Sequence, residues 1–488
     1  MTRINTNVAS LIAQRNLAAS NDNLGVRLQR LSTGLKINRG ADDPAGLIVS
    51  ERLRTEISGV SQAVDNIERA SNVIATAEGA LSEISALLIS MKSLAIESAN
   101  TGAFSKEEIE ANQLQIDSAI DSITRIANTT SFAGLKLLNG SLDYINEGLT
   151  ASQITDLRVT GVNFGTNTTL PVTVEVLNSA ETSSLFISAS DPAAPTTILS
   201  SVTFSIAGTN GVEVFEFVSG TALSAISFGI NAVSDATGVS STVLNTSGIQ
   251  LNGTSYGSSS FVSVKKLDDG TSFNTVDALD GALVNRDEGA DVLALVNGNL
   301  ALGDGLDVTL RTTTLGLELS LTSGAAQTLN TPYTFTITGG GATYQIGPTV
   351  NTQQQIGFGI QSVAANNLGN SIDGFLSSVK SGGDNSLVKG SDSAEQARKA
   401  SIVVDRSIDQ VSILRGRLGA FERNTLQTTL RSSQIAVENL TSAESDVRDT
   451  DFAEETALLT RAQILQQAGT STLAIANNSA SSVLSLLG

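Results

Sequence analysis

The sequence contains no cysteine, no histidine and no tryptophan. The absence of thiols and imidazoles excludes a disulfide framework, a zinc site of the usual ligand type and a histidine-activated nucleophile. Aromatic residues of any kind are few, which argues against a ligand pocket with aromatic walls. We therefore expect this chain to be neither an enzyme nor a cofactor-binding protein.

Basic residues are also scarce, because 29 lysines and arginines stand against 48 aspartates and glutamates. They are scattered along the chain, whereas a nucleic-acid-binding surface needs a basic cluster. The first residues lack the apolar core of a secretory signal, and we find no apolar run long enough to span a bilayer. These patterns predict a chain that binds neither nucleic acid nor membrane and is exported, if at all, without a cleaved signal peptide.

The stretch from Asp43 to Asn100 carries the strongest periodicity in the chain. Apolar residues recur there at alternating steps of four and three, which is typical of a long helix packed against partner helices. Asp43 and Pro44 form a helix start signal, and two consecutive steps of three from Val64 to Ala70 indicate a stammer. The predicted seam residues are Leu53, Ile57, Val60, Val64, Ile67, Ile74, Leu81, Ile84 and Leu88.

Helical patterns flank this stretch and return at the far end of the chain. We divide them into an arm at 1–42, two bundle parts at 43–149 and 386–449, and a final arm at 450–488. The second bundle part carries seam residues Val404, Ile408, Val411 and Leu418. The arm seams are thinner, at Leu17, Leu24, Leu28, Leu31 and Leu35, and at Leu465, Ala468, Ile475, Leu484 and Leu487. Because such seams have too little to bury in a monomer, we expect them to make contacts between subunits.

The middle, residues 150–385, has a different composition, rich in glycine, serine and threonine with short alternating apolar runs. Such runs are typical of strands with one solvated face. Residues 203–208 and 226–230 recur in similar form at 334–339 and 356–360, which indicates two related modules at about 200–265 and 331–384, each with strands followed by a short helix. The predicted fold is α+β and multidomain: a coiled-coil bundle from both termini with an inserted β-rich middle.

Several long motifs at both ends resemble the signatures of bacterial flagellins. The first reads Ser-Thr-Gly-Leu-Lys-Ile-Asn, and the longest reads Ser-Asp-Val-Arg-Asp-Thr-Asp-Phe-Ala-Glu-Glu. The matching segments are residues 32–38, 42–47, 50–53, 94–100, 445–455, 464–469 and 483–487. The resemblance covers the helical ends, and the first middle module also resembles a short repeat found inside many flagellins. The outer half of the middle is unmatched.

This resemblance implies a structural subunit that polymerises into the flagellar filament for swimming motility. It also implies that the arms pair as an inner tube inside a wall of bundles, with the middle facing the medium. The implied partners are further copies of the chain, an export chaperone, the filament cap and the hook-associated junction proteins. Export would use the type III channel of the flagellum. The alternative is a hook–filament junction protein of the same organelle.

The resemblance further marks a candidate patch for an innate immune receptor of animals. In the family, the Toll-like receptor that senses flagellin contacts an arginine one helical turn before a leucine, and an acidic residue on the next helix. Here the leucine is Leu94, but the other two positions are Ser90 and Gln115. Because serine cannot replace the planar fork of arginine, we expect weak receptor binding.

Overall fold

The structure is a computed structural model that describes residues 6–165, 167–189, 197–198, 200–244, 248–267, 273–277, 283–390 and 392–485. Side chains are described over the same ranges except at 188, 189, 273 and 479–485. The chain forms two compact units. One comprises Met1–Ala70, Gln345–Gln354 and Arg423–Gly488, and the other Ser71–Tyr344 and Gln355–Glu422.

Long helices occupy both ends of the chain, and shorter ones lie within the middle. In chain order they are α1 (Val8–Thr33), α2 (Pro44–Ser98), α3 (Lys106–Thr129), α4 (Leu223–Ala232), α5 (Ser234–Thr237), α6 (Ser323–Gln327), α7 (Ser393–Phe421), α8 (Gln427–Arg448) and α9 (Phe452–Ser485). One π-helical turn, Glu422–Leu426, joins α7 to α8, and 3-10 turns lie at Thr352–Gln354 and Leu376–Val379. This arrangement confirms the predicted helical ends.

The predicted start signal at Asp43 acts as expected, because Asp43 accepts the Gly46 N–H at 2.9 Å at the beginning of α2. At the beginning of α3, Ser105 and Glu108 cap the helix reciprocally as a capping box. By length and composition α2 could also cross a membrane, which the sequence reading missed. Its apolar seam instead lies in the core of the bundle.

The middle is built from antiparallel strands. They are β1 (Ser131–Phe132), β2 (Leu135–Lys136), β3 (Tyr144–Glu147), β4 (Ile154–Val162), β5 (Leu170–Asn178), β6 (Thr182–Ala189), β7 (Val202–Gly208), β8 (Val212–Phe217), β9 (Val239–Leu244), β10 (Gly248–Tyr256), β11 (Phe261–Lys266), β12 (Phe273–Val276), β13 (Arg286–Glu288), β14 (Leu293–Val296), β15 (Asn299–Asp304), β16 (Asp307–Arg311), β17 (Leu315–Leu321), β18 (Pro332–Gly340), β19 (Ala342–Gln345), β20 (Gln355–Phe358), β21 (Gly369–Asn370) and β22 (Gly374–Phe375). An eight-stranded sheet has the order β3-β18-β5-β14-β15-β16-β17-β4. Two four-stranded sheets have the orders β12-β6-β10-β9 and β13-β11-β7-β8.

The two four-stranded sheets belong to one excursion of the chain, residues 182–289. At its base Glu181 and Ala290 form an isolated antiparallel bridge. The excursion has its own apolar core around Phe204, Ile226 and Leu251, separate from the core of the eight-stranded sheet. Both ends of the excursion therefore meet at a single point.

The prediction that the second module also ends in a short helix is wrong. Residues 226–230 do lie in α4, but their counterparts at 356–360 include strand β20. The reason is close backbone packing: a Cβ at Gly357 would lie 2.7 Å from the Val162 carbonyl oxygen, and one at Gly359 2.8 Å from the Tyr144 ring. Two glycines thus admit an extended segment beside β4, where a helix has no room.

The predicted boundary at residue 385 also falls inside a packed region. Leu376 and Val379 are fully buried, and the buried Gln113 of α3 donates to the Val379 carbonyl at 2.9 Å. On the other side, Gln410 of α7 exchanges two hydrogen bonds of 2.8 Å with the backbone of Gly369. Because these segments cover α3 and α7, we assign residues 359–390 to the bundle.

Candidate assembly surface

The two arms of the sequence analysis, α1 and α9, lie against each other in antiparallel orientation. At one end the Asn7 side chain donates to the Ala476 carbonyl at 2.8 Å. Towards the other end, Arg27 forms an ion pair with Glu455 at 3.1 Å. Each arm therefore has a partner within its own chain.

The face shared by the arms has an unbroken heptad spacing made mainly of small and polar residues. We call this the inner seam. On α1 it comprises Ser10, Ala13, Leu17, Ser20, Leu24, Arg27 and Leu31, and on α9 Glu455, Leu459, Ala462, Gln466, Gly469, Leu473 and Ala476. Gly469 permits close approach, since a Cβ there would lie 3.2 Å from the end of the Leu17 side chain.

Three of the predicted arm residues lie on the face that pairs the arms. Leu17, Leu24 and Leu31 are half-buried on the inner seam, where they face the other arm of the same chain. Their assignment to contacts between subunits stays a prediction. Leu35 lies beyond α1, in an isolated bridge with Asp449.

The other predicted arm residues face outward. Leu28 and Leu465 are each 50% exposed, Ile475 is 70% exposed, and Ala468 is exposed as well. We call the exposed apolar residues of both arms the outward stripe: Val8, Leu11, Ile12, Val26, Leu28, Phe452, Ile464, Leu465, Ala468 and Ile475. Leu484 and Leu487 lie outside the side chains that the structure describes.

A short backbone clamp holds the arms together at their base. The Lys36 N–H donates to the Arg448 carbonyl at 2.7 Å, and the Thr450 N–H to the Gly34 carbonyl at 2.9 Å. Gly34 adopts the left-handed conformation, with φ of 74°, that ends α1. In the adjoining loop, backbone N–H groups of Arg39 and Asn38 hold the pKa of Asp42 below its ordinary value.

The residues of the predicted bundle seam are buried or half-buried within the folded chain. Its members Val60, Ile67, Ile74, Leu81, Ile84, Leu88, Val404, Val411 and Leu418 are buried, and Leu53, Ile57, Val64 and Ile408 are half-buried. Ion pairs at the rim join α2 to α7, from Lys92 to Asp405 at 2.5 Å and from Arg415 to Glu78 at 3.9 Å.

The three residues of the candidate receptor patch lie on neighbouring helices. Ser90 is exposed on α2, with Leu94 half-buried one turn further along, and Gln115 is exposed on α3. Asn112 of α3 donates to Ser98 of α2 at 3.2 Å. Because the chain reverses between these helices, Gln115 lies near the level of Leu94.

Comparisons with known proteins match this architecture. Residues 4–143 match the family model described as "Bacterial flagellin N-terminal helical region", and residues 402–487 match "Bacterial flagellin C-terminal helical region". The B-type flagellin of Pseudomonas aeruginosa is 30% identical over 519 residues, and the flagellin of Salmonella typhimurium 30% over 520; each alignment covers 99% of both chains. A solved structure of FliC from Burkholderia pseudomallei is 12% identical, covers 74% of this chain and 99% of that one, and has a TM-score of 0.23.

Paired terminal helices that retain an exposed apolar stripe define a protein that assembles with copies of itself. The full-length similarity to two flagellins, at 30% identity, identifies the family. The chain belongs to the bacterial flagellins and is a structural subunit of the flagellar filament. The alternative of a junction protein is not favoured.

Proposed function

We propose that the outward stripe is the surface through which neighbouring copies of this chain contact one another in the filament. The observation that carries the proposal is the division of the arms into two faces. The inner seam pairs α1 with α9 through nine small or polar side chains and five leucines, while other isoleucines and leucines, two valines and a phenylalanine remain exposed. The stripe contains local clusters of exposed apolar residues at 8–12 and 464–468; such clusters mark interaction surfaces, and a head-to-tail contact that does not close produces a helical filament.

An Ile475→Glu substitution tests this proposal. We expect it to raise the critical concentration for filament formation about tenfold or more, since burying an isoleucine contributes roughly 1.5–3 kcal/mol and a buried carboxylate opposes it. Sedimentation of filaments over a concentration series measures the effect. Leu302→Glu on β15, where the leucine is 76% exposed, is the matched control. An equal shift in both variants would contradict the proposal.

We further propose a purely structural role, without catalysis, and export through the flagellar type III channel. A dedicated chaperone would bind α9 before assembly, and the filament cap and hook-associated junction proteins would contact the growing polymer. Family membership supports these assignments. If the chaperone still binds after residues 452–488 are removed, the proposal that it binds α9 is wrong.

We also propose that the chain activates the flagellin-sensing Toll-like receptor weakly, because Ser90 replaces an arginine that can anchor such an interface. The variant Ser90→Arg should raise potency in a receptor reporter-cell assay by about tenfold or more, the scale of a restored interface anchor. Ser93→Arg, at an exposed position on the same helix, is the control. Potency of the unaltered chain equal to that of a strongly activating flagellin would overturn the proposal.

A further inference from the structure

The sequence contains four Asn-Gly pairs, at residues 139–140, 210–211, 252–253 and 297–298. This pair of residues is chemically labile, because glycine has no side chain to keep its backbone nitrogen away from the amide carbon of the asparagine. In a folded chain, the attack of that nitrogen also depends on how the asparagine side chain is held. The structure holds these four side chains in different ways.

Asn139 lies in the loop between β2 and β3 and is exposed. Its Oδ1 accepts the N–H of Ser141, two residues further on, at 3.1 Å. This contact folds the side chain back over its own backbone. The amide nitrogen of Asn139 and the N–H of Gly140 make no hydrogen bond with any residue that the structure describes. The amide carbon can therefore be attacked without the loss of a contact to another segment.

Asn297 provides a matched comparison, because it is also exposed and also followed by glycine. Its Oδ1 accepts the Thr173 N–H at 2.8 Å, and its Nδ2 donates to the Pro171 carbonyl at 3.2 Å. Both ends of the amide group are thus fixed to β5. Attack on its carbon would have to break these hydrogen bonds.

The remaining two asparagines are also restrained. Asn210 donates its Nδ2 to the Asp235 carbonyl of α5 at 3.1 Å. Asn252 lies within β10, which pairs with β6 on one side and β9 on the other, and Gly253 is buried. Attack at Asn210 would break the contact with α5, and attack at Asn252 would require the sheet to open.

We propose that Asn139 is a site of spontaneous deamidation, at which the folded chain converts slowly to aspartate and isoaspartate. The Gly140 nitrogen gives its proton to solvent and forms a bond to Cγ of Asn139. The Cγ–Nδ2 bond breaks, and the amide nitrogen takes a proton from solvent and leaves as ammonia. One water molecule then opens the cyclic imide at either of its two carbonyls. The Ser141 N–H stabilises the negative charge that develops on Oδ1 during the attack.

Isoaspartate lengthens the backbone of a segment that is fixed at both ends. The Leu138 carbonyl accepts the Val363 N–H at 3.0 Å, and the Leu142 carbonyl accepts the Ile360 N–H at 2.9 Å. The side chains of Leu138 and Leu142 are buried as well. An additional backbone atom between these two anchors strains the contact with residues 359–390, so the modified chain should unfold at a lower urea concentration.

Incubation of the full-length monomer at mildly alkaline pH, in buffer and in concentrated urea, tests the site. Peptide mass spectrometry, with an isoaspartyl methyltransferase as reagent, gives the rate at each asparagine. In buffer we expect Asn139 to convert at least about tenfold faster than Asn297, which must first lose its hydrogen bonds. In urea the two rates should be close to equal. Equal rates in buffer, or a faster reaction at Asn297, would overturn the proposal.

The effect on stability has its own controls. The variant Asn139→Gln cannot form the five-membered imide, so its urea unfolding midpoint should not change during the incubation. Freshly prepared Asn139→Asp has the new charge without the longer backbone and should unfold like the unaltered chain. An unchanged midpoint of the fraction that carries isoaspartate would show that the modification does not strain the bundle, and that part of the proposal would fail.

Discussion

A chain in which residues 182–289 are removed, and Glu181 is joined to Ala290 through Asn-Gly, is expected to fold and to form filaments. The two residues already face each other as an antiparallel bridge, with N–H to carbonyl distances of 2.9 Å and 3.0 Å. A two-residue Asn-Gly loop closes such a pair in a type I′ turn. The excision therefore replaces a long connection by the shortest one that this geometry accepts.

The excised module has few contacts that the rest of the chain would miss. Its apolar core is its own, and Tyr256 is the residue of the module that packs against the core of the eight-stranded sheet. Outside the bridge, the Ser258 hydroxyl donates to Asp291 at 2.5 Å, and Arg398 of α7 lies 3.9 Å from Asp235. The latter pair is exposed and such pairs contribute about 1 kcal/mol at most. Thermal unfolding should show a bundle close to its original stability, and sedimentation should show filaments.

Removal of the whole predicted middle, residues 150–385, should give the opposite result. It would take away Val363, Leu368, Leu376 and Val379, whose buried side chains pack over the bundle. Each such loss costs roughly 1.5–3 kcal/mol, and together they approach the net stability of a typical domain, about 5–15 kcal/mol. We expect this variant to lose cooperative unfolding. If it folds and polymerises as well as the shorter excision, the assignment of residues 359–390 to the bundle is wrong.

The long helices could be predicted because their buried faces are strictly periodic. Ile74, Leu81 and Ile84 stand on α2 at the spacing that a helical seam requires, and all three are buried. The pattern needs no knowledge of the partner helix, since any partner would bury the same face. This is why the fold class and the bundle seam follow from the sequence.

The two faces of the arms could not be told apart in the same way. Hydrophobicity favours Leu465 and Ile475 as the packed side of α9, yet the structure pairs α9 through Ala462 and Gly469. Small residues let the helix backbones approach closely, and no apolar pattern reveals that choice. The usual inference from hydrophobicity to internal burial therefore fails for these two residues of α9, which are exposed.

The sequence of α3 carries a different kind of signal, a polar residue within an apolar face. Gln113 stands at heptad spacing between Ile109 and Ile116, on the face that is buried against the bundle. A polar residue at such a position indicates a buried hydrogen-bonding site, because buried polar groups are almost always paired. Its partners could not be predicted, since they lie more than 260 positions away along the chain.

The substitution Gln113→Leu should therefore destabilise the bundle strongly. Gln113 is 2% exposed; its amide nitrogen donates to the Val379 carbonyl at 2.9 Å, and its oxygen accepts from the Leu387 N–H at 2.8 Å. Leucine has a similar size but leaves both buried backbone groups unpaired. Each unpaired group costs about 1–3 kcal/mol, so we expect a loss of about 2–5 kcal/mol in the free energy of unfolding.

Urea unfolding of the Gln113→Leu variant measures this loss, and Gln115→Leu serves as the control. Gln115 lies two residues further along the same helix and is exposed, so its replacement should change the stability by about 0.5 kcal/mol or less. Serine at position 386 also donates its hydroxyl to Gln113, at 3.1 Å, and Ser386→Ala should recover none of the loss when it is added to Gln113→Leu. Equal stabilities of the two leucine variants would mean that the segment around Val379 and Leu387 is not held on α3 by this side chain. The bundle boundary would then have to be moved back to residue 386, because the polar anchor that justifies the present one would be absent.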